Sequence, residues 1–376
     1  MKRIVLIKSR LDRSGGAEKY AWRLLTAFLK ESCRVTLLTS GKVSSPLPAK
    51  DLIIHSLHSK KKLSFRQVRA FDRFCLRHCL KNETILGLDR TSFQTHLRAS
   101  NGVHAAYLHH RSQGESLFRA LSFSLNPLHR TLLKIEKNSF THPALQKIIV
   151  NSHLVKRELL SYYPVDEKKV VVVHNGVEWE EKRDAFDSWK EGRENALARF
   201  NLSPHSFHLL FLGHNFRRKG LEPLLRGLAL LLHEEIHLSI VGRDKQEGYF
   251  RNLVKTLRLE NRVSFFKQQT DTTPFYQLAD ALAIPSWYDP FANVTVEALS
   301  MGVYLLSSKT NGGHEVVKEG CGSLFPSLTS NEAVALALKQ ALSHPKTEER
   351  ARAIRNSVKE LDFSIQLPRI TRLCLA

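Results

Sequence analysis

Residues 286–302 read SWYDPFANVTVEALSMG, and the organisation of the whole chain follows from them. Just before them, residues 281–285 are short, apolar and closed by proline, the pattern of a strand buried on both faces of a parallel sheet. Asp289, Pro290 and Phe291 then make a turn, and from Asn293 onward the spacing predicts a helix that carries Glu297. Strand, turn and helix in that order form the repeating unit of an α/β fold. The free amides in the first turn of such a helix point at whatever lies above the strand end. With Asp289 and Glu297 turned toward the same cavity, the unit outlines a phosphate or sugar site.

The unit recurs through the second half of the chain. Strands are expected at 207–212, 238–241, 263–266, 303–307 and 322–325, and helices at 221–233, 247–257, 275–278, 331–342 and 347–359. The Asn311-Gly312-Gly313-His314-Glu315 turn is expected to open a further helix. The first half alternates likewise, with strands at 4–7, 35–39, 51–55, 84–88, 148–150 and 170–173 and helices after Gly16, at 65–80 and at 153–162. Residues 89–101 read as a polar, mixed-charge edge. The two halves differ in spacing, so they are two α/β domains and not tandem copies. A length of 376 residues suits two cores. The composition turns abruptly charged over 178–199, which places the domains at 1–177 and 178–360, with a tail, 361–376, expected to pack back on the first.

Composition narrows the classes of function. Against 36 Asp+Glu stand 57 Lys+Arg, a formal net charge of +21, which favours an anionic partner: a membrane surface, nucleic acid or a phosphorylated substrate. Nucleic acid is disfavoured, because zinc-finger spacing, RNP-like aromatic strands and basic-region heptads are all lacking. Five scattered cysteines read as reduced thiols. Cys75 and Cys79 flank His78 within a helical run but lack a second ligand pair at zinc spacing, so they read as small apolar residues on a helix face. The N-terminal apolar run covers only residues 4–7 before Lys8, a strand and not a signal peptide. No run approaches the roughly 20 apolar residues of a membrane-spanning helix, so any membrane association is expected to be peripheral. Residues 112–145 interleave Leu125, Leu128 and Leu132 with His129, Arg130 and Lys134. Such a face suits anionic lipid, an anionic acceptor, or simply the solvated side of domain helices.

Three glycine-bearing turns of the second half, at 213–220, 242–244 and 311–315, fall at strand ends, which face one crevice in an open parallel sheet. Arg218 and Lys219 offer a fork donor and a point charge to a diphosphate; a solvated surface pair is the plain alternative. Asp289 and Glu297 on the same rim fit hydroxyl groups; two acids favoured by a helix dipole are the plain alternative there. Cations for a diphosphate and acids for hydroxyls together describe a nucleotide sugar. The Gly15-Gly16 pair between the first strand and helix either admits a ligand closely or is merely a tight turn.

Five separated motifs then fall in order: Gly15-Gly16-Ala17-Glu18, Val173-His174-Asn175-Gly176-Val177, Phe216-Arg217-Arg218-Lys219-Gly220, Asp289 with Glu297 after seven intervening residues, and Asn311-Gly312-Gly313-His314-Glu315. In these the chain resembles the family-4 glycosyltransferases of the GT-B fold, and most nearly their lipopolysaccharide-core glucosyltransferase I branch. It departs in carrying Asp289 where the family usually has the longer Glu, which bears on the sugar bound.

The resemblance implies two Rossmann-like domains facing across a cleft, the first binding acceptor and the second donor, closing about Val177. It implies a retaining hexosyl transfer from a nucleotide sugar, with a UDP-sugar expected, and with no cofactor and no metal. Arg218, Lys219, Asp289 and His104 would form the catalytic set. Glu297 would hold the ribose, Asp289 the sugar hydroxyls, and Arg218 and Lys219 the diphosphate, with Gly15, Gly16, Gly213, Gly242, Phe291, Ala292, Asn293 and Val294 also on the donor. Asn101 and His104 would face the acceptor, an anionic glycan or glycolipid. The expected location is cytoplasmic, peripheral at the inner face of the membrane. Two other classes use the same features: a nucleotide-sugar epimerase or hydrolase, and a non-catalytic protein binding anionic lipid or nucleic acid.

Overall fold

The structure, a computed structural model, describes residues 1–376 except 12–15, 42, 44–49, 58–64, 80–82, 114–121 and 124; the side chains at 16, 17 and 113 are likewise outside the description. The chain forms two compact units, Met1–His174 with Ser364–Ala376, and Asn175–Phe363. Each is a Rossmann-like α/β unit around one parallel sheet. In the first, β1 (Arg3–Ile7), β2 (Arg34–Ser40), β3 (Leu52–Leu57), β4 (Thr84–Gly87), β5 (His96–Arg98), β6 (Lys147–Val150) and β7 (Val170–Val172) lie in the order β3-β2-β1-β4-β5-β6-β7. In the second, β8 (Phe207–Leu212), β9 (Ile236–Val241), β10 (Val263–Phe266), β11 (Ala281–Ile284), β12 (Tyr304–Ser307) and β13 (Gly322–Leu324) lie in the order β10-β9-β8-β11-β12-β13.

The central strands are apolar on both faces because helices cover both. Ile4, Val5, Leu6 and Ile7 of β1 are all buried. The helices of the first unit are α1 (Gly16–Lys30), α2 (Phe65–His78), α3 (His104–Gln113), α4 (Pro127–Phe140) and α5 (His153–Tyr162). Those of the second are α6 (Arg183–Asp187), α7 (Trp189–Phe200), α8 (Leu221–Ala229), α9 (Glu247–Thr256), α10 (Thr273–Leu278), α11 (Asn293–Ser300), α12 (Asn331–Ala341) and α13 (Glu348–Ser357). The C-terminal α14 (Phe363–Leu375) contributes Ile370 and Cys374 to the core of the first unit beside Leu25 and Phe28. Cys75 is buried beside Phe71 in an apolar cluster, and all five cysteines are free.

Three segments differ from what the sequence predicts. The supposed polar edge at 89–101 contains β5, whose His96 and Arg98 are buried. Arg98 Nη1 donates to the carbonyls of Val150 (3.2 Å) and Val173 (2.7 Å), and its guanidinium lies 5.6 Å from the Tyr20 ring centroid. A charged residue reads as an edge until the carbonyls of neighbouring strands are in place to receive it. The charged stretch 178–199, read as the junction, holds α6 and α7, with Phe186 and Trp189 buried. The turn at 311–315 opens only a 3₁₀ turn, Gly312–Val316.

A buried carboxylate fixes the strand that leads to the site. Asp280, immediately before β11, accepts from Arg193 Nη1 (3.1 Å) and Nη2 (3.0 Å), from the His208 amide (2.8 Å) and from the Lys346 amide (2.9 Å). It therefore ties α7, β8, β11 and the loop before α13. Arg193→Ala leaves this carboxylate buried without its guanidinium, and the expected loss is about 3–5 kcal/mol in urea unfolding.

Candidate functional site

The site of the second unit is made of turns at the carboxyl ends of β8, β9, β11 and β12. Main-chain bonds stitch three of these turns together. Trp287 N donates to Arg218 O (3.0 Å), Asp289 N to Thr310 O (2.9 Å), and Gly312 N to Asp289 O (2.9 Å). Gly220, in the left-handed region at φ 75°, lets the β8 turn close: a Cβ there would run into the carbonyl oxygen of Pro285. Gly242, at φ 144°, lies against the carbonyl of Gly213 in the same way, and the Lys219 stem crosses over Gly213, its Cε 3.5 Å from where a Cβ would stand.

Asp289 is at the centre. Its Oδ2 accepts from Lys219 Nζ (2.8 Å) and Arg218 Nη1 (3.0 Å), and its Oδ1 from the Phe291 amide (3.2 Å). The last bond, from carboxylate to the amide two residues on, is an Asx turn, which aspartate makes and the longer glutamate does not. Burial pushes the carboxyl up, but Lys219 and then Arg218 outweigh it and hold it below the usual aspartate value. Arg218 Nη1 also donates to Tyr288 O at 2.7 Å. The Arg218 side chain keeps 31% exposure against 12% for Lys219, so solvent reaches the guanidinium most easily.

The start of α11 stands beside this cluster in sequence. The Ala292 amide donates to Asn311 Oδ1 (3.0 Å), which also takes the Gly313 amide (3.1 Å), while Asn311 Nδ2 donates to Thr295 Oγ1 (3.2 Å) and Ser307 Oγ (3.0 Å). Asn311 thus fixes where the helix begins; the asparagine before paired glycines was its only sequence signal. The amides of Asn293 and Val294 have no acceptor within the helix. Asn293 Oδ1 accepts from Asn175 Nδ2 at 2.7 Å.

The sequence reading separates acids from cations; the structure joins Asp289, Arg218 and Lys219 into one ion-paired cluster with Gly213 and Gly242 beneath it. Glu297 has a different partner, the buried Tyr276 hydroxyl, which donates to Oε2 at 2.8 Å. Burial, with Glu297 adding, raises the Tyr276 pKa well above the ordinary tyrosine value, so this hydroxyl remains a donor. Phe291 and Ala292 are buried, and Asn293 and Val294 are half-buried. In the first unit, His104 is buried at the start of α3 and Asn101 is exposed in the turn before it. Gly16 opens α1; Gly15 lies outside the described residues.

Residues 14–181 match the model of Glycosyltransferase Family 4, and residues 192–360 that of Glycosyl transferases group 1. An uncharacterized glycosyltransferase of Methanocaldococcus jannaschii is 29% identical over 210 residues, 54% of this chain and 52% of its own. The chain spans about half the length of the curated relatives it matches. In fold it is similar to WaaG, a glycosyltransferase involved in lipopolysaccharide biosynthesis, with a TM-score of 0.79 at 17% identity over 99% of both chains. It is also similar to Anabaena HepE, solved in complex with UDP and glucose, with a TM-score of 0.68 at 17% identity over 99% of both chains. Two family models that between them take in both α/β units, on a fold shared end to end with these proteins, place the chain in the family-4 glycosyltransferases of the GT-B fold.

Proposed function

We propose that the protein moves a hexose from a nucleotide sugar, a UDP-sugar, to a hydroxyl of an anionic glycan or glycolipid of the lipopolysaccharide-core type, with retention at the anomeric carbon. The observation that carries this is the cluster of two cations on one buried carboxylate, next to the first turn of a helix. It holds one positive charge in excess, which a diphosphate would meet. On binding, the diphosphate competes with Asp289 for Arg218 and Lys219, and the carboxylate becomes available to the hydroxyls of the sugar. The bond from the anomeric carbon to the diphosphate oxygen breaks, and the acceptor oxygen bonds to that carbon on the face the nucleotide leaves. The departing phosphate takes the acceptor's proton. Lys219, Arg218 and the α11 amides stabilise the charge that develops on the leaving group, so no metal is called on. Glu297, oriented by Tyr276, holds the ribose through its remaining oxygen.

Acceptor recognition is assigned to the first unit. Its α2 and α4 leave Arg66, Arg69, Arg73, Arg77, Arg130, Lys134 and Lys137 exposed. A groove of ≈ 510 Å³ lined by Phe65, Arg69, Pro127, Arg130 and Lys134 lies on this surface. With a net +21, such a surface favours a phosphorylated acceptor at the cytoplasmic face of an anionic membrane. No described helix is long and apolar enough to cross one.

The central test is turnover of UDP-, GDP- and ADP-sugars with and without a glycolipid acceptor. Transfer to the acceptor supports the proposal, whereas isomerised or hydrolysed donor without acceptor points to an epimerase or hydrolase. Lys219→Ala and Arg218→Ala are expected to abolish turnover while thermal unfolding stays cooperative; full activity in either would sink the diphosphate assignment. Glu297→Ala is expected to weaken UDP binding roughly tenfold, about 1.4 kcal/mol, by calorimetry. The Asp289 carboxyl has a folded pKa below its ordinary 3.8, so its stabilising contribution is complete above that value and is lost as pH falls through the folded one. Asp289→Asn is therefore expected to flatten the acid limb of the stability profile below pH 3.8.

A further inference from the structure

Glu136, absent from the sequence-derived site, is buried on α4, with 1% of its surface exposed. Five hydrogen bonds converge on its carboxylate. The His104 amide donates to Oε2 (2.7 Å) and Oε1 (3.0 Å), the Ala105 amide to Oε1 (3.2 Å), Arg90 Nε to Oε2 (2.9 Å) and the Tyr163 hydroxyl to Oε1 (2.8 Å). Two of the donors are first-turn amides of α3, which have no acceptor within their own helix, and a negative charge at that end is favoured by the helix dipole. Arg90 extends the grip: its Nη2 donates to Gly102 O (2.8 Å) and Asn101 O (3.2 Å). Gly102 takes φ 65°, a conformation that glycine adopts without strain. The main chain from Asn101 to Ala105 is thereby held to one buried ion pair.

The ring of His104 is held from the same helix face. His129 stands seven residues before Glu136 on α4, two turns away and on the same side. Its Nδ1 lies 3.1 Å from His104 Nε2. Burial, with the charges of Arg90 and His129 adding, pushes His104 down to about 3, and burial with Arg111 lowers His129 as well. Both shifts favour the neutral imidazoles, and at 3.1 Å the two ring nitrogens are bonded when one ring donates its N–H to the other. A neutral pair of this kind has a defined donor and a defined acceptor, so each ring fixes the tautomer of the other. Burying a charge in the Glu136 manner gives little stability over a well-packed apolar residue of similar size, but it specifies geometry.

We propose that Glu136 and His129 are positioning residues for His104: Glu136 sets the main chain of the 101–105 turn, and His129 sets the tautomer and orientation of the imidazole. The proposal rests on the acceptor-side role given to His104 above. Its test uses the full chain, UDP-glucose as donor and truncated rough lipopolysaccharide as acceptor. It compares wild type with Glu136→Gln, His129→Leu and His129→Asn, the last of which places an amide atom where Nδ1 stood.

His129→Leu is expected to lower kcat for transfer about tenfold or more, with UDP affinity within about twofold of wild type, and Glu136→Gln to do the same with a raised acceptor KM. His129→Asn is expected to recover most of the rate. Nitrogen-15 spectra of the imidazoles, with the His104 signal identified by its loss in His104→Ala, should show one neutral tautomer in wild type and an average of two in His129→Leu. A merely structural role predicts equal losses in His129→Leu and His129→Asn, and an unchanged tautomer. Either result overturns the proposal, as does full transfer by His129→Leu below its unfolding midpoint. Wild type that shows the single tautomer yet transfers nothing upholds the positioning of the ring and overturns the transferase reading.

Discussion

The attraction between one buried carboxylate, that of Asp289, and the two cations of the β8 turn governs the second unit. Removing a carboxylate from water is costly, and the position is tolerated only because Lys219 and Arg218 both reach it, at 2.8 and 3.0 Å. The same contact brings the β8 turn against the β11 turn, and the main chain of Asp289 brings in the β12 turn through Thr310 and Gly312. The result is a pre-ordered set of donors with one unbalanced positive charge. An anion binding there would exchange with the Asp289 carboxylate for cations whose main chain is already held in place, and charges fixed in this way are the ones that stabilise developing negative charge most.

Asp280 and Glu136 follow a similar plan. Each is a buried acid that gathers an arginine and main-chain amides from different elements: Arg193 with the amides of His208 and Lys346, and Arg90 with those of His104 and Ala105. In this basic chain the acids are the scarcer sign, and three of them stand where loops meet. Hydrophobic burial builds the two sheets and their helices, but it is non-directional and leaves the loops free to settle in many ways. Directional bonds to a carboxylate select one of them.

Much of this was legible beforehand. The strands are continuous apolar runs, and helix starts followed from polar turns, so β8, α5, β10 and the start of α11 fall where periodicity puts them. Arg218, Lys219, Gly213 and Gly242 were visible through glycine turns at strand ends, and Asp289 through the strand, turn and helix of 281–302. The strand β5 was hidden because His96 and Arg98 carry polar side chains, and Glu136 was hidden because an acid on an amphipathic basic helix reads as part of a solvated face. Asn311 was noticed only as part of a turn.

The residues alone were enough to specify the α/β alternation, the two-domain plan and the motifs, since all of these depend on neighbours within a few positions. Which side chain neutralises which was settled by the folded chain. Arg218 and Asp289 are 71 residues apart, and His104 and Glu136 are 32 apart. A polar group's partner is whatever the packed strands and helices bring within about 3 Å of it, and no local pattern records that distance.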